Sequence, residues 1–513
     1  MKPVRRTRLA VALISVQLLL SACSATAHPP LPPSQWPDPR PAPWPVQGPR
    51  NTPNFHAPSA THCARPVALR EVPGGGHEQA AGRASPGGAY DTRERLAKSA
   101  AEPPALADAP ATAAAAPAWR RGDAAGPAAR AESADALRSA RPAPTFPTPQ
   151  GSVAPYPPPP HQQPREVPAV VTAGVVDDNA DFNAFLAFRS RTRVEHRPRD
   201  IRERYLLEVK DPRGRGVADA EVAVQGDSGW SMWARTDAAG RVWLHPNAFD
   251  PARSGHYQIA VRKDGRQSGA QLTRGQRSAV EVVLEARAAE PRARLDLVFL
   301  IDATGSMADE IDKLKSSLRT IVGEVAALPS RPDICLGLVA YRDRGDQFLL
   351  RSHDFTDDVN GFLHGALNPL RAAGGGDYPE AMNEALHETV HRLSWRGDGA
   401  TRLVVLLADA PPHLDYGAPH YDDDMLAALG KGIKVFGVGA SGLDTQGEYI
   451  QRQIAQYTGG QFVFLTYAQA HSPSSGPGRE TVHDVKNYSV DTLDRLIVRL
   501  VSQELGKLAQ PGG

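Results

Sequence analysis

Cysteine is scarce in this 513-residue chain: only Cys23, Cys63 and Cys335 are present. Three cysteines cannot supply a disulfide framework, so the fold has to rest on a buried core. Cys63 lies in a proline-rich stretch and Cys335 in the apolar run "ICLGLVAY". A bond between them would tie a flexible tail to a core strand, and Cys335 reads more simply as a small buried hydrophobe. Charge of one sign is lacking as well: 58 basic and 57 acidic residues leave a formal charge of +1, which predicts no partner and gives no sign of bulk electrostatic binding to nucleic acid or anionic lipid. The apolar run "LAVALISVQLLL" near the start is too short for a comfortable transmembrane helix. Also missing are a phosphate-cradling Gly-Lys loop, a Gly-x-Ser-x-Gly elbow and a Cys-His or carboxylate pair at catalytic spacing. Enzyme chemistry would therefore rest only on a metal in a crevice.

What is present begins with a targeting segment. Lys2, Arg5, Arg6 and Arg8 form a basic region ahead of the apolar run, and "LSAC" (Leu20 to Cys23) closes it. Arg5-Arg6 reads as ordinary leader charge in preference to a twin-arginine signal. The closing residues resemble the lipobox of bacterial lipoproteins. That resemblance implies removal of residues 1–22, acylation of Cys23 and a lipid-anchored protein of the bacterial cell envelope. Ser24 is not the aspartate that usually retains lipoproteins at the inner membrane, so an outer-membrane anchor is expected where the cell has two membranes. The alternative is a soluble secreted protein with a chance cysteine.

Residues 23–168 read as a tether. Many of the 47 prolines crowd here, in stretches such as "HPPLPPSQWPDPRPAPWP" and "PYPPPPHQQP", without an apolar period that could offset the cost of ordering. At about 3.1 Å per residue in polyproline II, such a segment reaches on the order of 100 Å even when partly extended. Residues 169–200 read as a short helical or irregular segment. Within it, Asp177, Asp178 and Asp181 fit the start of a helix carrying Phe182, Phe185, Leu186 and Phe188 better than a calcium loop, whose glycine and terminal glutamate are missing.

Residues 201–287 alternate apolar and polar positions in "YLLEVKD", "EVAVQG", "RVWLHP", "YQIAVRKDG" and "AVEVVLEA", with turns at "DPRGRG", "TDAAGR" and "KDGRQSG". A small all-β sandwich follows, with Trp230, Trp233 and Trp243 as core and edge residues. The segment resembles the carboxypeptidase regulatory-like, immunoglobulin-like modules of bacterial surface proteins.

Over residues 294–505 the pattern becomes α/β. Near-continuous apolar runs, "LDLVFLI", "ICLGLVAY", "TRLVVLLAD", "IKVFGVG" and "QFVFL", alternate with helical segments, which predicts a doubly wound, Rossmann-like, mostly parallel sheet covered on both faces. Residues 506–513 read as a disordered tail. In such sheets ligands bind outside the carboxyl ends of the strands. Asp302, Thr304 and Ser306 follow the first strand there, Asp377 sits in the loop "AAGGGDYPEAM", and Asp409 ends "LVVLLAD". Carboxylates and hydroxyls from three loops, completed by water, suit a small hard cation: Mg2+ first, with Mn2+ or Ca2+ as alternatives. No histidine or cysteine pair accompanies these aspartates, which argues against zinc hydrolysis. The opposing reading makes Asp302 a turn cap and Ser306 a helix cap.

Asp302-Ala303-Thr304-Gly305-Ser306 together with Asp409 resembles the metal-ion-dependent adhesion site of von Willebrand factor type A domains. The resemblance implies hydroxyl ligands from Thr304 and Ser306, and Asp302 and Asp409 binding directly or through water. Thr304 replaces the serine of many members and keeps the hydroxyl. Gly376-Asp377 replaces the threonine of integrin-like members and resembles a hemicentin-like "GGGD.PE" branch. Three aspartates would hold the cation more firmly and leave it less avid for an acidic ligand. Tyr378, Pro379 and Glu380 read as a helix start, and His413 as loop packing at the rim. The functional expectation is a membrane-anchored module that binds a protein ligand, through the metal and an acidic side chain of the partner, with no nucleic acid as partner. The alternatives are an envelope spacer with a vestigial site and a metal-dependent enzyme.

Overall fold

The computed structural model describes Cys63 and residues 69–75, 171–285, 293–376, 378–397, 399–440, 442–467 and 489–509. The expectations for the leader, Cys23, most of the tether, Asp377 and the last residues of the tail fall outside these. Sixteen strands are found among the described residues. In chain order they are β1 (Leu69–Pro73), β2 (Val171–Val176), β3 (Tyr205–Lys210), β4 (Glu221–Gly226), β5 (Ser231–Arg235), β6 (Arg241–Leu244), β7 (His256–Lys263) and β8 (Arg266–Thr273). The rest are β9 (Val280–Val283), β10 (Arg294–Asp302), β11 (Asp333–Tyr341), β12 (Phe348–Thr356), β13 (Thr401–Ala408), β14 (Ile433–Gly439), β15 (Phe462–Tyr467) and β16 (Ser489–Asp491).

The large sheet has nine strands in the order β1-β12-β11-β10-β13-β14-β15-β2-β16. Its five central strands, β11 to β15 in that order, run parallel. Both margins are antiparallel. The apolar runs are continuous because both faces are covered: in β10, Leu297, Phe299 and Ile301 enter one core and Val298 and Leu300 the other. On the first face lie the helices Ala308–Ala326 and Leu493–Gly506, and Ile311, Leu314, Leu318, Ile321, Val322 and Val325 form the buried stripe of the former. The helices Met382–His391, Tyr421–Lys431 and Thr445–Thr458 cover the second. None of the described helices is long and apolar enough to cross a membrane.

Strands β3 to β9 make two small sheets, β6-β3-β9 and β5-β4-β7-β8. In β3, Tyr205, Leu207 and Val209 point inward and the residues between them are only half-buried, as the period-two pattern requires. Trp233 is buried and Trp230 exposed, while the Arg204 guanidinium lies 3.9 Å above the Trp243 ring. This β unit is inserted between β2 and β10 of the large sheet, and its apolar interior runs into the second-face core. Asp219 fastens the two units. Its carboxylate accepts from Arg235 Nε of β5 (2.7 Å), Arg402 Nη1 of β13 (2.9 Å) and the Gly399 amide (2.6 Å).

Five features depart from the sequence reading. Val171–Val176, expected within a helical or irregular segment, is strand β2, and at the expected disordered tail Gly506 ends a helix and Lys507–Ala509 form a 3-10 turn. Cys63 and Cys335 are disulfide-bonded with a Cα separation of 5.8 Å, so Cys335 is not a free thiol. Just beyond Cys63, Leu69–Pro73 is a strand within the stretch expected to be tether, antiparallel to β12 and carrying an ion pair from Glu71 to Arg351 (2.6 Å). The helix expected to start at Pro379 starts at Met382 instead. The Asp177–Asp181 stretch does open a helix: Asp181 Oδ1 accepts from the Ala184 amide (3.1 Å), and buried Asp178 is paired with Arg452 (2.6 Å).

The disulfide closes a separation of 272 residues. Cys63→Ser should cost about 2 kcal/mol, the low end for a native bridge because β1 is a short edge strand. Hydrogen exchange should localise the loss to β1 and β12; unchanged protection of both strands in the variant would refute the anchoring role.

Candidate metal centre

Strands β10 and β13 run parallel in register, Ile301 opposite Leu407, so Asp302 and Asp409 leave the sheet side by side at its carboxyl edge. Both are buried. Asp302 Oδ1 accepts from the Thr304 amide (2.9 Å) and from Thr304 Oγ1 (2.7 Å), and Thr304 Oγ1 lies 3.4 Å from Ser306 Oγ. Three of the expected ligands therefore cluster within one loop. Residues Gly305–Met307 form a 3-10 turn, and the following helix has Met307 at its N-cap position without a side-chain cap, so Ser306 is not the helix cap. Asp302 does close a turn with one oxygen. Its other oxygen, Oδ2, is buried with no hydrogen-bond partner among the described residues.

The glycine loop packs directly on this first loop. The Gly305 amide donates to Gly374 O (3.1 Å) and the Ala373 amide to Ala303 O (3.1 Å). Gly374 (φ +77°) and Gly375 (φ +71°) adopt left-handed backbone. A Cβ on Gly374 would run into the Asp346 carboxylate, and one on Gly375 would lie 2.7 Å from Glu380 Oε1 and 2.8 Å from Thr304 Cβ. The glycines thus let the loop pass between Asp346, Thr304 and Glu380. Asp377 itself lies outside the described residues.

Glu380 is the residue that the sequence reading missed. It is bridged to the third loop, its amide donating to Pro411 O (3.1 Å) and its carbonyl accepting from the His413 amide (3.2 Å). Its side chain is buried and Oε2 has no partner among the described residues. The available signal was an acid four residues past a triple glycine. His413 is packing at the rim: its ring stacks on Tyr416 at 3.7 Å, and Nδ1 lies 3.1 Å from Asp415 Oδ1.

These carboxyls repel one another. Burial, then the charge of Asp409, pushes the Asp302 carboxyl well above the usual carboxylate range. Burial, then Asp302, Asp343, Asp409 and Asp346, does the same to Glu380. Tyr341, the sheet neighbour of Asp302, is buried against them and its phenol is pushed up as well. Two buried carboxylate oxygens without donors, beside two hydroxyls, fit a hard divalent cation, which would neutralise the repulsion. Asp302, Thr304, Ser306 and Asp409 would hold it, with Glu380 as a further oxygen or counter-charge.

Residues 296–468 match the model of the von Willebrand factor type A domain. Among curated proteins, an ariadne-like RING finger protein of Acanthamoeba polyphaga mimivirus is 34% identical over 125 residues, covering 24% of this chain and 12% of that protein. The alpha-protein kinase vwkA of Dictyostelium discoideum is 30% identical over 138 residues, covering 26% of this chain and 21% of the kinase. The match thus spans a small part of either relative. Among solved structures, the pilus adhesin SpaC of Lactobacillus rhamnosus GG in its open conformation is 14% identical with a TM-score of 0.27, covering 50% of this chain and 32% of the adhesin. Proximal thread matrix protein 1 of the mussel byssus is 13% identical with a TM-score of 0.23, covering 32% of this chain and 42% of its own. Domains of the matched type commonly bind a divalent metal. The parallel core of the large sheet, with the acidic loops at its carboxyl edge, is a von Willebrand factor type A domain.

Proposed function

We propose that this protein is a lipid-anchored module of the bacterial cell envelope, at the outer membrane, that binds a protein partner through a divalent cation, Mg2+ in the first instance, and catalyses no reaction. The observation that carries the reading is the buried Asp302 carboxylate, with one oxygen held by Thr304 and the other without a donor. Asp302, Thr304, Ser306 and Asp409 would hold the cation, which would offer a coordination position to a partner's carboxylate. Gly305 is exposed and Ser306 half-buried, so this loop reaches solvent. The Cys63–Cys335 disulfide supports export, because such bonds persist in oxidising compartments. The leader ending in "LSAC" supports anchoring through Cys23, and the proline-rich stretch supports presentation at a distance from the membrane.

The experiment is affinity capture from envelope extract with the chain from about residue 60 onward, so that the disulfide is kept. We expect a partner that is captured in Mg2+, released by EDTA and absent with Asp302→Ala. Capture indifferent to both changes would reject metal-dependent binding. In cells, Cys23→Ser should move the protein out of the membrane fraction; unchanged fractionation would reject the anchor.

A further inference from the structure

A second cluster of ligating side chains lies on the second face of the large sheet, away from the glycine loop. His387 and His391 stand one turn apart on the helix Met382–His391, with ring centroids 4.4 Å apart. Asp424, on the neighbouring helix Tyr421–Lys431, places Oδ1 3.0 Å from His387 Nδ1 and 3.0 Å from His391 Nε2. The three donor groups lie within 4.8 Å of one another. Asp424 is only 2% exposed, and its Oδ2 is buried without a hydrogen-bond partner among the described residues. The nearby Lys431 ammonium donates to Val390 O (2.6 Å) and does not satisfy that oxygen.

We propose that His387, His391 and Asp424 form a second metal site, selective for Zn2+ or a similar borderline transition metal and separate from the Mg2+-type centre at the sheet edge. Two imidazoles and one carboxylate match the preference of zinc and are a poor set for magnesium. With metal–ligand bonds of about 2.0–2.1 Å, tetrahedral zinc sets its ligands about 3.3 Å apart, close to the 3.0 Å of both Asp424–histidine pairs. One carboxylate oxygen facing two imidazole nitrogens is the arrangement that a single cation replaces with two nitrogen ligands and one oxygen ligand. His387 is partly exposed, so the cation has a path in and the fourth position opens to solvent.

The chemistry of the site is binding. His387-Glu388-Thr389-Val390-His391 has the H-E-x-x-H spacing in which the glutamate of a metalloprotease serves as general base. Here Glu388 is used elsewhere: it accepts from Ser352 Oγ (2.8 Å) and is ion-paired with Arg70 of β1. With Glu388 committed to those partners, the metal would cross-link two helices. Both helices follow the loops that shape the carboxylate centre, and the link would hold those loops' anchors together.

The test uses the full chain, stripped of metal and titrated with Zn2+ in saturating Mg2+, with Co2+ as a spectroscopic probe. We expect one equivalent of Zn2+ to bind, and Co2+ to give the intense visible absorption of a tetrahedral nitrogen-oxygen site. His391→Ala should lose more than roughly 100-fold in zinc affinity, beyond the 10–100-fold typical of supporting residues, and His387→Ala, at the more exposed position, should do the same. Asp302→Ala should retain the site. The proposal is overturned if the parent binds no Zn2+, if both histidine variants bind as tightly as the parent, or if binding disappears with Asp302→Ala instead.

Discussion

Metal-free protein carrying Asp302→Asn should be more stable than the metal-free parent at pH 8, and should gain nothing from Mg2+. The asparagine keeps the oxygen that accepts from Thr304 and replaces the donor-less oxygen with a donor. In the parent, burial and the charge of Asp409 raise the folded-state proton affinity of Asp302 above its unfolded value. Between those two values the folded state binds more protons, so the contribution of Asp302 is full at acid pH and declines as pH rises through the raised value. The slope approaches about 1.4 kcal/mol per pH unit for each proton so retained. Thermal melts in EDTA from pH 5 to pH 8 should therefore fall more steeply for the parent than for the variant. With Mg2+ at 100 times its dissociation constant the parent should regain about 2.7 kcal/mol. Parallel pH profiles for the two proteins would show that the carboxyls do not oppose one another.

Asp219→Asn should be the most damaging single change outside the site, costing about 3 kcal/mol and roughly 6–10 °C in melting temperature. Asp219 has a left-handed backbone (φ 54°), which asparagine tolerates, so the substitution removes charge without new strain. What remains is two guanidiniums, Arg235 at 4% and Arg402 at 1% exposure, with no carboxylate between them. Burial alone would raise the Asp219 carboxyl, but the charges of Arg402 and Arg235 outweigh it and hold it below the usual range. Its stabilisation is thus present above the ordinary aspartate range and lost only as pH falls through the depressed value. Differential scanning calorimetry should show the variant melting at lower temperature from neutral pH downward. A parent-like melt would mean that Arg235 and Arg402 find other partners and that Asp219 is not the fastening between the β unit and β13.

How much of this was legible in the sequence follows from where each strand lies. The five central strands are buried on both faces, so their apolar runs stand out. β12 does not stand out, because buried Ser352 and His353 interrupt its apolar residues. β1 and β2 are recruited from distant chain segments to the sheet margins and carry no local pattern that marks them. The pairing of Cys63 with Cys335 is a fact of three-dimensional proximity across 272 residues. In the site, Asp302, Thr304 and Ser306 were readable because an apolar strand ran straight into alternating oxygen ligands. Glu380 was hidden by Pro379, which makes any following acid read as a helix start. The histidine pair at 387 and 391 stands at i, i+4 spacing but is absent from the sequence reading, and Asp424, 33 residues beyond His391, is brought to it only by helix packing.

The central claim is that the carboxyl edge of the sheet gathers one divalent cation. Calorimetric titration of Mg2+ into EDTA-stripped full-length protein tests it most directly, run side by side with Asp302→Ala. The account predicts saturable one-to-one binding by the parent and none at this site in the variant. Titrations that show no heat and no saturation for the parent, or the same isotherm for both proteins, would contradict it.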